Sequence, residues 1–300
     1  MQHHRLLALA LGAALTGNVA AEGTSTLAKP DEVQTATFAV DTEVKLVTDQ
    51  RNRGISDSLN GPGAQLSVQM AHESGIIGLV QLSTVSKKSY TNADGYNLLL
   101  GTGYRFGDPD GWHFGVGLAT EFFPGAKFSA PHGLDLEAGV PTDFKTTRYD
   151  TSYAVLEIGW GALEGRILNV LSRTYRGADT GGVCGQILAV SVDPTKAIEC
   201  YARGDRNSRG SWLFDLGYKI PLGAATTLNL HAGAQKIRHF KEADFSDYAI
   251  GITHTRWGFQ WSAEWLTTRT KARELFLVLD GDRLRAQDNN RLVLSVARKF

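Results

Sequence analysis

From Phe38 to the C-terminus, the sequence is dominated by segments of about ten residues in which apolar and polar side chains alternate. In the first of them, Phe38 and Val40 point to the opposite face from Asp41. A period of two places successive side chains on opposite faces of a β-strand, so each segment has one apolar and one polar face. Two segments, 76–86 and 166–175, are apolar on both faces, and their orientation stays unassigned. Together the segments predict about 12 strands.

The connections between these segments alternate between short and long along the chain. The short connections are 72–75, 107–111, 161–165, 221–225 and 256–258. The long connections are 49–63, 87–95, 123–150, 176–210, 238–247 and 269–290. Antiparallel neighbours return the chain to the same rim at every second connection, so all short turns belong at one end and all long loops at the other. A soluble sandwich gives no reason for this sorting, whereas transmembrane barrels have short periplasmic turns and long extracellular loops.

The sequence therefore predicts an all-β protein, an antiparallel up-and-down transmembrane β-barrel of about 12 strands over residues 37–300. Aromatic side chains prefer the two interfaces of a membrane, and here they fall near the two ends of the predicted strands. Those near the loop end are Tyr96, Phe122, Trp212 and Tyr248. Those near the turn end are Tyr104, Phe106, Trp112, Phe114, Trp160, Tyr218, Phe259, Trp261 and Phe300.

The N-terminus, residues 1–21, has the features of a secretory signal peptide. Charged and polar residues precede an apolar run from Leu6 to Leu15, and small residues end at Ala21. The apolar run is too short to cross a bilayer, so cleavage after Ala21 is expected. Residues 22–36 are then an N-terminal periplasmic lead, and the exported chain is expected in the outer membrane of a Gram-negative bacterium.

The charge balance and the two cysteines exclude several classes of protein. Lys and Arg together total 31, as do Asp and Glu, which leaves no basic excess to hold nucleic acid. Past the signal peptide, no apolar run is long enough for a transmembrane helix. Cys184 and Cys200 lack the paired spacing of a zinc site, and neither a metal nor a cofactor is expected. They are predicted to form a disulfide, because an exported loop is oxidised and offers little core in which to bury free thiols.

The polar faces of the strands supply the candidate lining of a lumen. Acids and bases are mixed on these faces, which predicts weak ion selectivity at most, since a filter uses a ring of one sign. A barrel of about 12 strands encloses a lumen of borderline width, so the sequence leaves open whether water fills it or internal salt bridges close it. The predicted pore-lining residues are Asp41, Glu43, Lys45, Arg105, His113, Glu121, Glu157, Asp215, Lys219, His231 and Glu264.

The C-terminal segment 291–300 alternates and ends on an aromatic side chain, Phe300. It resembles the signal by which bacterial outer-membrane barrels are recognised for insertion. Arg298 departs from that pattern, because an apolar or tyrosine side chain is commoner at its place. The resemblance implies the barrel assembly machinery as a partner, together with outer-membrane lipid and lipopolysaccharide.

A second resemblance rests on the stretch 47–58, Val-Thr-Asp-Gln-Arg-Asn-Arg-Gly-Ile-Ser-Asp-Ser, and on the turn His-Glu-Ser-Gly at 72–75. Both are similar to the opening of the TorF-type porin family of proteobacterial outer-membrane β-barrels. In that family the corresponding stretches resemble S-D-Y-x-F-R-G-I-S-Q-S and H-E-S-G. Gln50 and Asn52 stand where the family has aromatic residues, and 176–210 resembles an insertion. The resemblance implies a channel-like role and carries over no catalytic or binding residues.

The sequence thus predicts a porin-like channel for passive diffusion of small polar solutes or ions, without enzymatic activity, and most simply a monomer. One alternative is a lipase-like barrel enzyme, which needs a serine within reach of an oriented histidine. His231 lies on a polar face, but Ser211 and Ser262 are loosely placed to partner it, and no Gly-x-Ser-x-Gly elbow occurs. Another alternative is a closed structural or adhesive barrel that transports nothing.

Overall fold

The computed structural model describes residues 38–300. The predicted signal peptide, 1–21, and the predicted periplasmic lead, 22–36, lie outside the described residues. Two short 3-10 helices, Lys241–Ala243 and Arg273–Phe276, accompany the main elements. In chain order the main elements are β1 (Phe38–Val47), β2 (Arg51–Asn52), β3 (Ile55–Ser56), β4 (Gly63–His72), β5 (Ile76–Thr84), β6 (Tyr96–Gly107), β7 (Trp112–Phe122), β8 (Lys127–Asp135), β9 (Val140–Arg148), β10 (Thr151–Trp160), β11 (Leu163–Val170), α1 (Thr180–Val190), α2 (Pro194–Tyr201), β12 (Trp212–Pro221), β13 (Thr226–Lys236), β14 (Phe245–Arg256), β15 (Phe259–Thr270), β16 (Leu277–Asp280), β17 (Arg283–Ala286) and β18 (Arg291–Lys299).

Twelve of the strands pair into one closed antiparallel barrel. β1 closes it by pairing on both sides: Lys45 lies opposite Gln65 of β4 and opposite Ala297 of β18. The twelve-stranded up-and-down barrel predicted from the alternation is therefore confirmed. Around the barrel the strand order is β1, β18, β15, β14, β13, β12, β11, β10, β7, β6, β5 and β4.

The outer face of the barrel is apolar. Leu66 in β4, Val44 in β1 and Leu216 in β12 point outward and are 40%, 42% and 49% exposed. Such a surface suits hydrocarbon, in which a closed barrel also satisfies every backbone N–H and C=O group. The alternate residues on the same strands, such as Lys45 and Gln65, are buried in the interior. The orientation predicted for the alternating strands is confirmed.

The structure also orients the two segments that the sequence left unassigned. Ile77 and Leu79 of β5 are buried and face inward. Leu168 and Val170 of β11 do the same. Apolar side chains face the interior as well as the outside of the barrel here, and for that reason these two segments lack the alternation of the others.

Short and long connections lie at opposite ends of the barrel, as predicted, and these ends are called the turn end and the loop end. The short connections are 73–75, 108–111, 161–162, 222–225 and 257–258. The long ones are 48–62, 85–95, 123–150, 171–211, 237–244 and 271–290.

Aromatic side chains on the outer face lie at both ends of the barrel. At the turn end, Trp112 packs beside Phe114 and Trp160, with ring centroids 6.4 Å apart in each pair. At the loop end, Tyr96 and Trp212 are exposed on the outer face. Two aromatic belts match the two interfaces of a bilayer, as the sequence predicted.

The C-terminal residues place a cation among aromatic rings at the turn end. The Arg298 guanidinium lies 5.4 Å from the ring centroid of Phe259 and 5.1 Å from that of Phe300. Stacking on the faces of two rings gives its charge favourable contacts at the turn end of the barrel.

The long loops carry secondary structure of their own. β8 pairs with β9, and β16 with β17, as hairpins above the barrel. In the loop 171–211, α1 begins after Asp179, whose side chain accepts the backbone N–H of Gly182 at 2.8 Å. α2 begins with Pro194, which suits the first position of a helix. Within residues 38–300, neither α1 and α2 nor the 3-10 helices are long and apolar enough to cross a membrane.

Candidate channel interior

Arg105 and Glu157 form the centre of an ion cluster on the inner wall near the turn end. Arg105 Nε donates to Glu157 Oε2 at 2.9 Å, and Arg166 Nε lies 3.2 Å from Glu157 Oε1. On the same side of the barrel, His113 Nε2 lies 3.0 Å from Glu164 Oε1. The cluster brings together three predicted lining residues and pairs them with two, Glu164 and Arg166, that were not predicted.

A second polar cluster lies on the opposite wall, formed by β1 and β12 to β15. His231 Nε2 lies 2.8 Å from Asp247 Oδ2 and 4.0 Å from Asp215 Oδ1. Lys45 and Glu264 border a cavity of about 30 Å³ beside this pair, which is space for about one water molecule. Charges on both walls are thus matched by neighbours of opposite sign.

The remaining predicted lining residues lie nearer the two rims. Asp41 and Glu43 of β1 and Lys219 of β12 lie on the inner face toward the turn end. Glu121 of β7 lies toward the loop end and is 0% exposed. Every predicted lining position is therefore on the inner face of its strand.

Residues 49–57 fold into the barrel interior, and all of them are buried. β2 and β3 pair within this stretch around a turn at Arg53 and Gly54, whose φ angles are +49° and +79°. A Cβ atom at Gly54 would lie 2.3 Å from Thr268 Oγ1, so both the left-handed backbone and the close approach to β15 favour glycine. Residues 49–57 are called the inserted hairpin below.

Arg53 fixes the tip of the inserted hairpin to the far wall. Its Nη1 donates to both carboxylate oxygens of Asp215 at 2.6 Å. Its Nη2 donates to the backbone carbonyls of Phe214 at 2.7 Å and Ala234 at 2.9 Å. Charge-assisted bonds of this kind are roughly twice as strong as neutral ones, so Arg53 clamps the hairpin across the lumen.

Asp49 holds the base of the inserted hairpin together. Its carboxylate accepts hydrogen bonds from Arg51 Nε at 2.7 Å, Ser56 Oγ at 2.6 Å and Ser58 Oγ at 3.1 Å. The backbone N–H of Ser56 also donates to the carbonyl of Gln287 in the last long loop, at 2.9 Å. The hairpin therefore satisfies many of its own polar groups and is a compact unit.

Arg176 joins the inserted hairpin to the barrel wall at the loop end. Its Nη1 lies 3.0 Å from Asp57 Oδ1 of the hairpin, and its Nε donates to Glu121 Oε2 of β7 at 2.9 Å. Burial opposes the charge of Arg176, but the two carboxylates outweigh burial and raise its pKa well above the usual value. Burial also raises the pKa of Tyr90 well above its usual value, and its neutral hydroxyl donates to Asp57 Oδ1 at 2.5 Å.

The interior beside the inserted hairpin is filled by apolar side chains from β5, β6, β10, β11 and β12. Tyr153, Leu168 and Leu213 are 0% exposed, and Leu99 and Leu79 are 1% and 2% exposed. These five side chains belong to one cluster and are called the apolar layer. The inserted hairpin and the apolar layer together occupy the loop half of the lumen.

Three residues that close the interior were not among the predicted lining residues. Asp247 stands on the inner face of β14, one position before the predicted start of that strand, so a longer alternating segment would have included it. Arg53 lies in 47–58, and the high density of charged side chains in that stretch could have marked it as a candidate interior residue. Nothing in the sequence around Arg176 distinguishes it from other loop arginines.

The residues considered for a lipase-like site have other partners. His231 bonds to Asp247, as described above. Ser211 Oγ donates to a backbone carbonyl at 2.6 Å, and Ser262 Oγ lies 2.9 Å from Thr253 Oγ1. In the part of the chain that the structure describes, neither of these two serines is hydrogen-bonded to His231.

The two cysteines are joined, Cys184 in α1 to Cys200 in α2. Both are buried, and Val183 and Ile187 pack in the same cluster. The expectation that this loop has little core was wrong, because the two helices and the β8–β9 hairpin pack on one another and build one.

This disulfide predicts a specific labelling pattern. Alkylation of denatured, unreduced protein should label neither cysteine, and labelling after reduction should add two groups by intact mass. Closing a loop with a sequence separation of 16 restricts the unfolded segment by about 3 kcal/mol in the chain-entropy model, so reduction should speed proteolysis within 171–211. Two labels before reduction would contradict the bond.

Several solved outer-membrane proteins are similar to this chain in structure. "KdgM porin in complex with disordered oligogalacturonate" is 6% identical with a TM-score of 0.46, over 87% of this chain and 98% of that one. The NanC porin is 9% identical with a TM-score of 0.47, over 86% and 98%. The COG4313 outer membrane channel from Pseudomonas putida F1 is 11% identical with a TM-score of 0.39, over 90% and 100%.

Sequence comparison gives the family directly. No curated protein matches the sequence significantly. The family model described as "Bacterial protein of unknown function (Gcw_chp)" matches residues 31–300. That match covers the whole barrel, including the inserted hairpin and all six long loops. The chain therefore belongs to the Gcw_chp family of bacterial proteins.

Proposed function

We propose that this protein is an outer-membrane channel for small polar solutes or ions, and that the inserted hairpin is its gate. The observation that carries the proposal is the buried contact of Arg53 with Asp215 across the lumen, 2.6 Å long. It ties a compact loop segment, which is not a barrel strand, to a wall that is otherwise polar. The structure corresponds to the closed state.

The construction of the hairpin supports movement as a unit. Asp49 accepts three hydrogen bonds from within 49–58, and the backbone N–H of Asp57 donates to the carbonyl of Gln50 at 2.8 Å. These bonds travel with the segment if it swings out. What must break are the contacts of Arg53 with the wall and of Arg176 and Tyr90 with Asp57. The hydrogen bonds that join Ser56 to Gln287 and the Gly54 carbonyl to Thr268 must break as well. The small cavity between the hairpin and Lys45 shows that the two surfaces are not fully packed.

The lumen that such a movement uncovers suits small polar solutes without strong charge preference. Its walls carry both signs, with Arg105 beside Glu157 and His231 beside Asp247. A filter for one sign of ion would need a ring of like charges. The proposed channel is therefore weakly selective.

Planar-bilayer recordings on purified, refolded protein test the gate. The wild type should open rarely, whereas Arg53→Ala should raise the open fraction by about tenfold or more, because a buried charge contact no longer holds the closed state. Arg283→Ala, at the exposed start of β17, is the matched control and should behave as wild type. An Arg53→Ala barrel that folds, shown by heat-modifiable migration, and stays as closed as wild type would rule out this gate.

A closed structural barrel is the second candidate, and the apolar layer favours it. Leu168 and Leu213 are 0% exposed inside the lumen, as a permanent core would be. This candidate predicts no conductance even when residues 50–57 are replaced by two glycines. The gated channel predicts large, steady currents from that variant, so the same recordings separate the two functions.

The proposal extends to the surroundings of the protein. We place it in the bacterial outer membrane as a non-enzymatic monomer of the TorF type, after removal of residues 1–21, with 22–36 in the periplasm. Lipid and lipopolysaccharide would cover the apolar outer face. Phe300, 69% exposed at the turn end, would serve as the insertion signal for the barrel assembly machinery.

A further inference from the structure

All six long loops converge on one cavity of about 840 Å³ at the loop end, above the inserted hairpin. Asn52 and Ile55 of the inserted hairpin and Arg176 form part of its wall. Nothing in a passive channel requires the loops to enclose such a volume. One lining residue from each loop, in chain order, is Ile55, Ser89, Phe128, Gln186, Ala243 and Leu277.

The walls of the cavity are more apolar than polar. Phe128, Tyr149 and Phe245 supply aromatic rings. α1 brings Gly181 and Gly185 to its wall. A Cβ atom at Gly181 would lie 2.7 Å from His132 Nε2, so glycine there lets α1 pack closely on β8. Volume and composition both fall in the range of sites that enclose small organic molecules, which are mostly apolar with a few placed polar groups.

Two buried amide oxygens in side chains of residues that line the cavity lack hydrogen-bond partners among residues 38–300. They are Asn52 Oδ1 and Gln235 Oε1, in side chains that are 3% and 2% exposed. The orientation of the Gln235 amide is set, because its Nε2 donates to the carbonyl of Ala243 at 2.9 Å. A buried acceptor without a donor is costly, so both positions favour a ligand that brings N–H or O–H groups.

The charges around the cavity are already neutralised. Arg176 is paired with Asp57 and Glu121, and Lys88 at the rim is paired with Asp280. A charged ligand would have to compete for these partners or enter an apolar space unpaired, which is unfavourable. The site therefore suits a neutral molecule.

The cavity is also held in shape. The disulfide joins α1 to α2, and Gln186 Nε2 donates to the carbonyls of Glu274 at 3.3 Å and Leu277 at 2.8 Å. These links fix α1 against the last long loop. A preformed site loses less entropy on binding than one that must be ordered by its ligand.

We infer that the extracellular loops form a binding site for a neutral, mostly apolar small molecule carrying hydrogen-bond donors, which contacts Asn52 and Gln235. This inference does not depend on the lumen ever opening, since the cavity is present with the inserted hairpin in place. Binding and conductance can therefore fail or succeed separately.

Equilibrium dialysis with 2-naphthamide tests the site, because this neutral probe has an apolar ring system and a carboxamide donor. Full-length protein in lipid nanodiscs should take up one molecule saturably beyond the uptake of empty nanodiscs. Methyl 2-naphthoate, of similar shape but without a donor, should bind about fivefold more weakly or worse. Absence of saturable uptake up to about 1 mM probe would overturn the site, and equal affinity for the ester would overturn the role of the two amide oxygens.

Two tryptophan variants in the same segment locate the site. Ala189→Trp places a large ring in the cavity and should weaken 2-naphthamide binding by about tenfold or more. Val192→Trp is the matched control, since Val192 is fully exposed just beyond α1 and should bind as wild type. Unchanged binding by a folded Ala189→Trp protein would show that the probe binds elsewhere. If that variant does not fold, Gln235→Met also tests whether the probe binds in this cavity. It should abolish the preference for 2-naphthamide over methyl 2-naphthoate, and an unchanged preference would contradict the site.

Discussion

Replacing Arg176 by alanine is expected to lower the free energy of unfolding by about 3–5 kcal/mol, the range for removing one partner of a buried ion pair. The reason is what the substitution leaves behind. Asp57 and Glu121, whose side chains are 4% and 1% exposed, would remain buried without their shared cation. The face of the guanidinium also lies 5.2 Å from the ring centroid of Phe123, and that contact would be lost too.

Denaturant-dependent folding into lipid vesicles measures this effect. Arg148→Ala is the matched control: its side chain is 75% exposed and lies 3.6 Å from Asp150, so its loss should cost at most about 1 kcal/mol. The double variant Arg176→Ala with Glu121→Ala should lose less stability than the two single variants lose in total. Each single substitution leaves the other charged side chain buried without its partner. Equal, small effects of Arg176→Ala and Arg148→Ala would show that the network contributes nothing to stability.

The barrel itself was accessible from sequence because an apolar outer face and a polar inner face repeat with a period of two along most of the strands. Leu66 lies on the outer face and Gln65 in the interior, so the alternation reports orientation directly. The sorting of turns and loops follows from antiparallel pairing in the same way. Both features depend on residues near one another in the chain, which is why they could be predicted.

The closed interior was less accessible because it depends on pairs that are distant in sequence. Arg53 meets Asp215 across the lumen, 162 residues away, and Arg176 meets Asp57 at a separation of 119. Alternation says that a side chain faces inward but not which charge lies opposite. In β5 and β11 the alternation does not even show which side chains face inward, because inward positions such as Leu79 are as apolar as outward ones.

The folded loops were missed for a different reason. α1 contains Gly181, Gly182 and Gly185, and a segment this rich in glycine has weak helix propensity. It forms because tertiary contacts and the bond from Cys184 to Cys200 hold it against its neighbours. The cavity that the loops enclose is thus a property of their packing together and leaves no local pattern to read.

The second large effect concerns the outer face. Leu216→Arg should destabilise the barrel folded in vesicles by about 2–4 kcal/mol. Leu216 lies mid-way along β12 on the outer face, where it is 49% exposed and is expected to contact lipid. Leu222→Arg is the same substitution in the turn 222–225, where the side chain is 56% exposed beyond the strand, and it should cost about 0–1 kcal/mol. A soluble protein would tolerate arginine at either exposed position about equally, so the gap between the two variants reports hydrocarbon around β12. Equal costs would mean that this face of the barrel does not contact lipid.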